Sequence, residues 1–393
     1  MSARAASTSS KLTLLGALYF TQGLPSGFFT QGLPVLLRQR GYSLGQIGLS
    51  TLLAAPWALK WLWAPRVDRH YWAKLGRRRS WILPLQGLTV VILVGLGVLG
   101  LASMRLLLAA ILILNLLAAT QDIATDGLAV ELLAHGERGL GNGLQVAGFR
   151  FGMIVGGGAL LILHDRLGDR GTFAAMAALT ALATWPVFRL HEPAVPLEPT
   201  SAGATSHWLR QPGAPRILTL LLVYKAGDSF ATSMLRPFLA DSGLTLVDVG
   251  WLLGTVGFVA GLLGALLGGA LVNRFGRKRS LLAFGAFQAL TVASFAALAF
   301  WKLGRGMLYA LCGLEHLAGG MATAALFTCM MDWSREHASG SDYTVQASAV
   351  VIATGAAAAV SGFSAQALGY AGHFSLAAVL AFAALGVVGR CFP

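Results

Sequence analysis

Apolar runs of membrane-crossing length follow one another along almost the whole of this chain, parted by loops too short to hold a domain. A spanning helix needs about 20 apolar residues. Twelve segments meet that need, at 12–35, 44–65, 80–102, 105–132, 140–163, 172–190, 215–239, 247–272, 281–301, 306–331, 343–368 and 372–391. Only 11% of the residues are charged and 56% are hydrophobic, where a soluble domain carries about 25% charge. A water-soluble fold is thereby excluded. The expectation is an all-α membrane protein with twelve transmembrane helices.

The net charge of +13 would suit nucleic acid, but its placement argues otherwise. Lys and Arg gather in short loops beside apolar spans, where they set orientation rather than bind phosphate. An even number of spans puts both termini on one side. Arg66, Arg69, Lys74, Arg77 to Arg79, Arg274 and Arg277 to Arg279 fall on that side. The other side holds fewer: Arg38, Arg40, Arg105, Arg166, Arg170, Lys302 and Arg305. The asymmetry places both termini in the cytoplasm. Met1 to Ser10 is small and polar without a separate apolar core, and reads as a cytoplasmic tail, not a signal peptide.

Two basic loops about 200 residues apart give the chain its internal repeat. The first is Asp68-Arg69 with Gly76-Arg77-Arg78-Arg79-Ser80. The second is Asn273-Arg274-Phe275-Gly276-Arg277-Lys278-Arg279-Ser280. Gly41-Tyr42-Ser43-Leu44 echoes Gly243-Leu244-Thr245-Leu246, Tyr19-Phe20-Thr21 echoes Tyr224-Lys225-Ala226, and Gln145 echoes Gln346. Residues 191–213, rich in Pro, Ser, Thr and Gly, read as a cytoplasmic linker. The expected organisation is a six-helix half at 1–190, this linker, and a second half at 214–393. Such two-half membrane proteins place substrate near the midplane and rock the halves for alternating access.

The second loop, Gly269-x-x-x-Asn273-Arg274-Phe275-Gly276-Arg277-Lys278, resembles the loop motif of the major facilitator superfamily. The first copy departs from it, with His70 to Leu75 inserted before Gly76. The resemblance implies that these loops latch the inward face. The expected gate residues are Lys60, Asp68, Arg69, Arg77, Arg78, Asn273, Arg274 and Arg277.

Ionisable side chains inside spans are costly and mark function by default. Span four carries Asn115, Gln121, Asp122, Asp126 and Glu131. Asp122 and Asp126, four apart, share a helix face and make a reasonable proton site, or else pair with Arg150 or cap the gate. Span seven carries Lys225, Asp228 and Arg236, and span ten carries Glu315 and His316. Lys225 and Asp228 either neutralise each other or line a cavity. Glu315 with His316 forms either a pH-sensitive relay or an external gate contact. The expected proton-coupling set is Asp122, Asp126, Asp228, Glu315 and His316. The expected substrate contacts are Gln22, Gln31, Trp57, Gln145, Arg150, Lys225 and Arg236. Lys60 lies near the cytoplasmic end of span two, where it can snorkel. Trp57, Trp61, Trp63, Phe28 and Phe29 either form an interfacial belt or stack on a ligand, the belt being the stronger reading. The glycine runs of spans five and eight follow no strand, so they serve close helix packing rather than phosphate binding.

Cys312, Cys329 and Cys391 have no metal or redox spacing, and no catalytic motif or ATP-binding loop occurs. The chain is expected to be a transporter and not an enzyme, monomeric, with no metal or cofactor and no nucleic-acid partner. Its expected partners are the lipid bilayer, a small-molecule substrate and protons, the gradient most natural for acidic residues in spans.

Several stretches resemble the muropeptide permease and acetyl-coenzyme A transporter branch of the superfamily. They are Leu18 to Pro25, Ala55 to Asp68, Gly76 to Trp81, and Thr120 to Gly127 running on to Glu137-Arg138-Gly139. Within that branch, Pro25 to Gln31 and Gly141 to Gly158 look most like bacterial siderophore permeases of the RhtX/FptX type. The resemblance implies inner-membrane import of a ferric siderophore such as a pyochelin or rhizobactin, with a muropeptide permease as the alternative. No spacing or charge argument yields a siderophore.

Overall fold

The computed structural model describes residues 7–43, 46, 49–100, 103–190, 192, 208–301 and 304–393. Most of the 191–213 linker, part of the N-terminal tail, Leu44 and Lys302 lie outside the described residues. No strand occurs among the described residues. Eight helices there are long and apolar enough to cross a membrane. Seven of these are single spans, six of them being Arg79–Leu99, Met104–Leu132, Arg166–Phe188, Asp248–Phe275, Arg277–Trp301 and Arg305–Asp332. Arg138–His164 makes span five, and the last stretch, Ser339–Cys391, holds two spans that part at Gly369 (φ 66°). Gly168 (φ 62°) turns the chain between spans five and six in the same way. These are backbone angles that residues with a Cβ avoid.

Span one is Thr8–Gln39, a helix interrupted in sequence by Pro25 and Pro34. Spans two and seven are broken. Span two runs through a 3₁₀ turn, Ser50–Ala54, then Ala55–Leu59, a second 3₁₀ turn Lys60–Leu62, and Ala64–Arg69. Pro56 and Pro65 each stand at the start of a helical piece, where a missing N–H costs nothing. Span seven breaks into Ala214–Tyr224, Ala226–Thr232 and Leu235–Asp241. Both breaks fall at charged span residues, Lys60 and Lys225.

The contacts divide the chain into two compact units. The first comprises Met1–Glu137, Gly148–Thr205 and Ser334–Thr344. The second comprises Arg138–Ala147, Ser206–Trp333 and Val345–Pro393. Each takes most of one end of the sequence and one short segment from the other. Leu24, Phe28, Leu33, Leu93, Ile111 and Phe173 centre a core in the first unit, with a second cluster at Leu14, Leu18, Ile82 and Leu128. Phe230, Phe238, Phe295, Phe374 and Leu252 centre the core of the second. Large apolar residues also stand outward, among them Ile162, Phe363 and Trp301, each more than 70% exposed. In water that surface would drive aggregation; in lipid it is the expected exterior.

Glycines set how closely helices approach. In the first unit, a Cβ on Gly152 would meet the backbone of Leu24 at 2.9 Å and of Gly23 at 3.0 Å. A Cβ on Gly23 would in turn meet Met153 N at 3.1 Å. Spans one and five therefore touch backbone to backbone. In the second unit, a Cβ on Gly268 would meet Met321 Cα at 2.6 Å, and one on Gly320 would meet Ala265 N at 2.8 Å. Small residues replace the hydrophobic effect as the means of association between helices in lipid.

Candidate functional site

The first unit gathers its span charges around Lys60. That residue is 3% exposed, and its ammonium donates to Asp122 Oδ2 and lies 3.8 Å from Asp126 Oδ2. The Tyr19 hydroxyl donates to Asp126 Oδ1 at 2.7 Å. The two carboxyl groups are within hydrogen-bonding reach of each other. Two carboxyl groups facing one lysine give the cluster a place where a proton can be held between them. Lys60, expected to snorkel to the cytoplasmic edge, is instead buried against span four. Arg150, the alternative partner for Asp122 and Asp126, is half-buried.

Aromatic side chains hold span two onto span four. The Trp57 indole N–H donates to Asn115 Oδ1 at 2.9 Å, and the Lys60 ammonium lies 5.8 Å from the Trp57 ring. Trp63 Nε1 donates to Thr120 Oγ1 at 3.1 Å. These two indoles point at a neighbouring helix, which an interfacial belt would not require. Phe28 and Phe29 belong to neither a belt nor a ligand stack: both are buried core residues, Phe28 lying 5.4 Å from the Phe173 ring.

The second unit has its own cluster. Lys225 Nζ lies 2.7 Å from Asp228 Oδ2 and donates to Gln288 Oε1 at 3.2 Å. Asp228 Oδ1 is buried with no N–H or O–H to accept from. The Glu315 carboxyl of span ten is within hydrogen-bonding reach of Asp228, so a shared proton would satisfy both. His316 Nδ1 lies 2.8 Å from Glu315 Oε2 and 2.9 Å from the Cys312 carbonyl. A carbonyl only accepts, so Nδ1 carries the hydrogen. The imidazole fits because Gly257 lacks a Cβ, which would meet Nε2 at 2.7 Å. Gly257 follows a π-helical turn, Leu252–Val256, a local widening that recurs at functional sites. Arg236, expected beside substrate, is exposed.

The basic loops enter two further networks. In the first unit, Arg78 is fully buried and reaches Glu131 Oε1 at 2.6 Å, Asp68 Oδ1 at 2.8 Å and Ser339 Oγ at 2.7 Å. Ser339 passes its own hydrogen to Glu131 at 2.7 Å. Burial alone would make the Arg78 guanidinium easier to deprotonate, but Glu131 and then Asp68 outweigh it and drive its pKa up. Arg77 reaches Glu131, Asp68 and the His337 carbonyl. Gly127 and Gly340 leave the Arg78 guanidinium its room: a Cβ on either would lie 3.0 Å or less from it. In the second unit, Asp332 takes Arg277 Nε at 2.6 Å and Arg138 Nη1 at 2.9 Å, while Arg277 Nη1 donates to Asn273 at 2.6 Å. The two sets match: a loop after one span, the acidic end of span four or ten, and the start of span eleven or five. Of the remaining gate candidates, Arg69 is half-buried and Arg274 is exposed.

Two carboxylates outside the spans do work that sequence reasoning missed. Glu192 accepts from the backbone N–H of Arg78 (3.0 Å) and Arg79 (2.5 Å), so the start of the linker caps the helix Arg79–Leu99. Glu137 accepts from Lys11 at 2.8 Å, Thr8 at 2.5 Å and Ala134 N at 3.0 Å, and these bonds hold its carboxyl down at about 2. Ser339, Ser341, Asp332, Tyr19 and Gln288 also join the networks without having been singled out, while Glu131 was named among the span-four acids. Serine beside a span carries no sequence signal. Asp332 and Glu131 did carry one, as the acids that end spans ten and four.

Among the uncharged candidates, Gln22 and Gln145 are buried and Gln31 is exposed. Gln86 and Gln121 both donate to Thr21 Oγ1, at 2.9 and 3.4 Å, pinning span one to spans three and four.

With that geometry in hand, the comparisons decide the family. Residues 11–104 match the family described as acetyl-coenzyme A transporter 1, and residues 217–393 match the major facilitator superfamily. The anhydromuropeptide permease of Escherichia coli (strain K12) is 31% identical over 379 residues, covering 93% of this chain and 77% of that one. The chain belongs to the anhydromuropeptide permease family of the major facilitator superfamily. A protein named putative transporter AmpG 4 of Rickettsia conorii is 23% identical, with 94% of each chain covered. The fold is that of a solved transporter, FucP in the outward conformation, with a TM-score of 0.73 over 96% of this chain and 97% of that one, at 17% identity. The chain is thus a multi-pass, all-helical secondary transporter of the bacterial permease type. Of these relatives, the one that carries the family is named anhydromuropeptide permease. The expectation of a siderophore finds no support in them, and the alternative does.

Proposed function

We propose that this protein imports anhydromuropeptides across the bacterial inner membrane by alternating access, as a monomer driven by protons. The observation that carries the substrate is the relative at 31% identity over nearly the whole chain, itself an anhydromuropeptide permease. The buried Lys60–Asp122–Asp126 cluster supports the proton. Two carboxyl groups and one lysine change charge when a single proton arrives, and a change of charge in a low-dielectric place alters which conformation is favoured. The networks at Asp68–Arg78–Glu131 and Arg277–Asp332–Arg138 serve as gates that form and break in the cycle. An anhydromuropeptide joins amino sugars to a short acidic peptide, so cations are needed where it binds. Lys225, Arg150 and Arg236 are the candidates, with Gln22, Gln31, Trp57 and Gln145 for its sugar and amide groups.

The test is uptake of radiolabelled anhydromuropeptide into cells lacking their own permease, with and without an uncoupler, beside labelled iron on pyochelin-type and rhizobactin-type siderophores. Muropeptide uptake that needs this chain and collapses with the uncoupler is the expected result. Iron uptake without muropeptide uptake would overturn the substrate. Asp122→Asn and Asp126→Asn should each lose uptake or its pH response; normal transport by both would remove them from coupling.

A further inference from the structure

The second-unit cluster holds an arrangement that the first does not. Lys60 is enclosed at 3% exposure by two carboxyl groups, with Tyr19 on one of them. Lys225 and Asp228 are more open, their side chains 12% and 13% exposed, and Lys225 has a single carboxylate partner from its own helix. Asp228 meanwhile keeps its second oxygen, Oδ1, buried and without a donor, and its carboxyl lies within hydrogen-bonding reach of Glu315. The charged and titratable groups around Asp228 among the described residues are Lys225 and Tyr224 on span seven and Glu315 on span ten. His316 and Cys312 act on it through Glu315.

Lys225 is therefore the only cation in direct contact with Asp228 among the described residues. The ammonium 2.7 Å away is what offsets the negative charge of that carboxylate. An incoming anion that takes the ammonium leaves Asp228 a buried carboxylate beside a second carboxyl, which is unfavourable unless a proton is added. We propose that a carboxylate of the substrate displaces Asp228 from Lys225, and that the freed Asp228 takes one proton from the external solution, shared with Glu315. The ammonium keeps all its protons and exchanges one counter-anion for another. The proton ends on a carboxylate oxygen of Asp228 or Glu315, so charge balances: one substrate anion and one proton enter together. Substrate arrival and proton uptake are then one event at one lysine, and His316, donating to Glu315 from Nδ1, steadies the acceptor. This rests on the muropeptide reading for the identity of the acid, and it assigns the peptide carboxylates, not the sugars, to the second unit.

The experiment is calorimetric titration of the purified full-length protein in two buffers of different ionisation enthalpy, which counts protons taken up on binding. The probes are an anhydromuropeptide with free carboxylates and the same molecule amidated at them. Wild type is expected to take up protons with the free acid and to bind the amide at least about tenfold more weakly. Asp228→Asn should bind the free acid with one proton fewer. Lys225→Gln should bind the free acid at least about tenfold more weakly while leaving amide affinity unchanged. Should Lys225→Gln fold poorly, the double variant Lys225→Gln, Asp228→Asn keeps the cluster balanced, and it should bind acid and amide alike. An unchanged proton count in Asp228→Asn, or equal weakening of both probes in Lys225→Gln, would overturn this inference and leave the muropeptide reading standing. No binding of either probe by wild type would remove both.

Discussion

Ser341 donates both its backbone N–H and its hydroxyl to one oxygen of Asp68, at 2.7 and 2.5 Å, across 273 positions of sequence. The other Asp68 oxygen faces Arg78. Only a carboxylate can accept on both sides and also balance the guanidinium. Removing one partner of a buried ion pair costs about 3–5 kcal/mol, because the remaining charge stays buried. Asp68→Asn should therefore lower the unfolding temperature in detergent by several degrees and abolish uptake. Ser341→Ala removes only one neutral donor and keeps the backbone N–H, so it should cost about 1 kcal/mol. Identical melting of Asp68→Asn and wild type would show that the contact holds nothing together.

The Lys60 cluster predicts compensation between substitutions. Lys60→Met takes from buried Asp122 the ammonium that donates to it, and should destabilise by about 3 kcal/mol or more. Adding Asp122→Asn removes the orphaned charge and should recover most of that loss, since residues in one network do not add. Thermal unfolding of both singles and the double decides it. A double variant as unstable as the sum of the singles would mean that Lys60 and Asp122 act independently.

Glu137 predicts how acid loosens the start of span one. Lys11, Thr8 and the Ala134 N–H hold its carboxyl at about 2, against an ordinary glutamate value of 4.5. As pH falls, the proton binds the unfolded chain first. The stabilising effect of the carboxylate is thus whole above about pH 5 and is lost as pH falls from 4.5 toward 2. The pair is partly exposed, so its worth is about 1 kcal/mol or less. The stability difference between wild type and Glu137→Gln should be constant from pH 5 to 8 and shrink steadily below 4.5. A difference that instead grows in acid would exclude this role.

Most of the fold was legible because lipid allows so little else. Twelve apolar runs, short basic loops and two echoing ends follow from hydropathy and charge alone. The broken spans were not legible as such. Pro56, Pro65 and the charges of span seven explain why helices interrupt there, but only the fold shows that the breaks deliver Lys60 to the acids of span four, and Lys225 to Asp228 of its own span and Gln288 of span nine. Asp122 and Asp126 were readable as a pair from their spacing. Lys60 was not readable as their partner, because a lysine near a span end looks alike whether it snorkels or turns inward. Ser341 and Glu192 were invisible for another reason: each acts through a backbone N–H, its own or a neighbour's, and pattern reading sees side-chain types rather than partners far along the chain. The siderophore expectation rested on local likeness in spans one and five, stretches shaped by glycine packing, which constrains helix approach far more than it constrains the substrate.

That packing gives the last prediction. Gly152 and Gly158 lie six apart on span five, and composition alone treats them alike. A Cβ at Gly152 would press on the backbone of span one, with Leu24 N at 2.9 Å, and backbone cannot rotate away as a side chain can. A Cβ at Gly158 meets nothing within 4 Å. Gly152→Ala should therefore force spans one and five apart by a fraction of an ångström, at a cost of about 1–3 kcal/mol, as overpacking does. Gly152→Leu should prevent stable folding. Gly158→Ala should be neutral or slightly stabilising, since alanine is the better helix former by about 1 kcal/mol. Membrane yield and thermal unfolding of the three variants separate the two sites. Equal tolerance at both would mean that spans one and five do not meet backbone to backbone, and the close approach seen here would have to be abandoned.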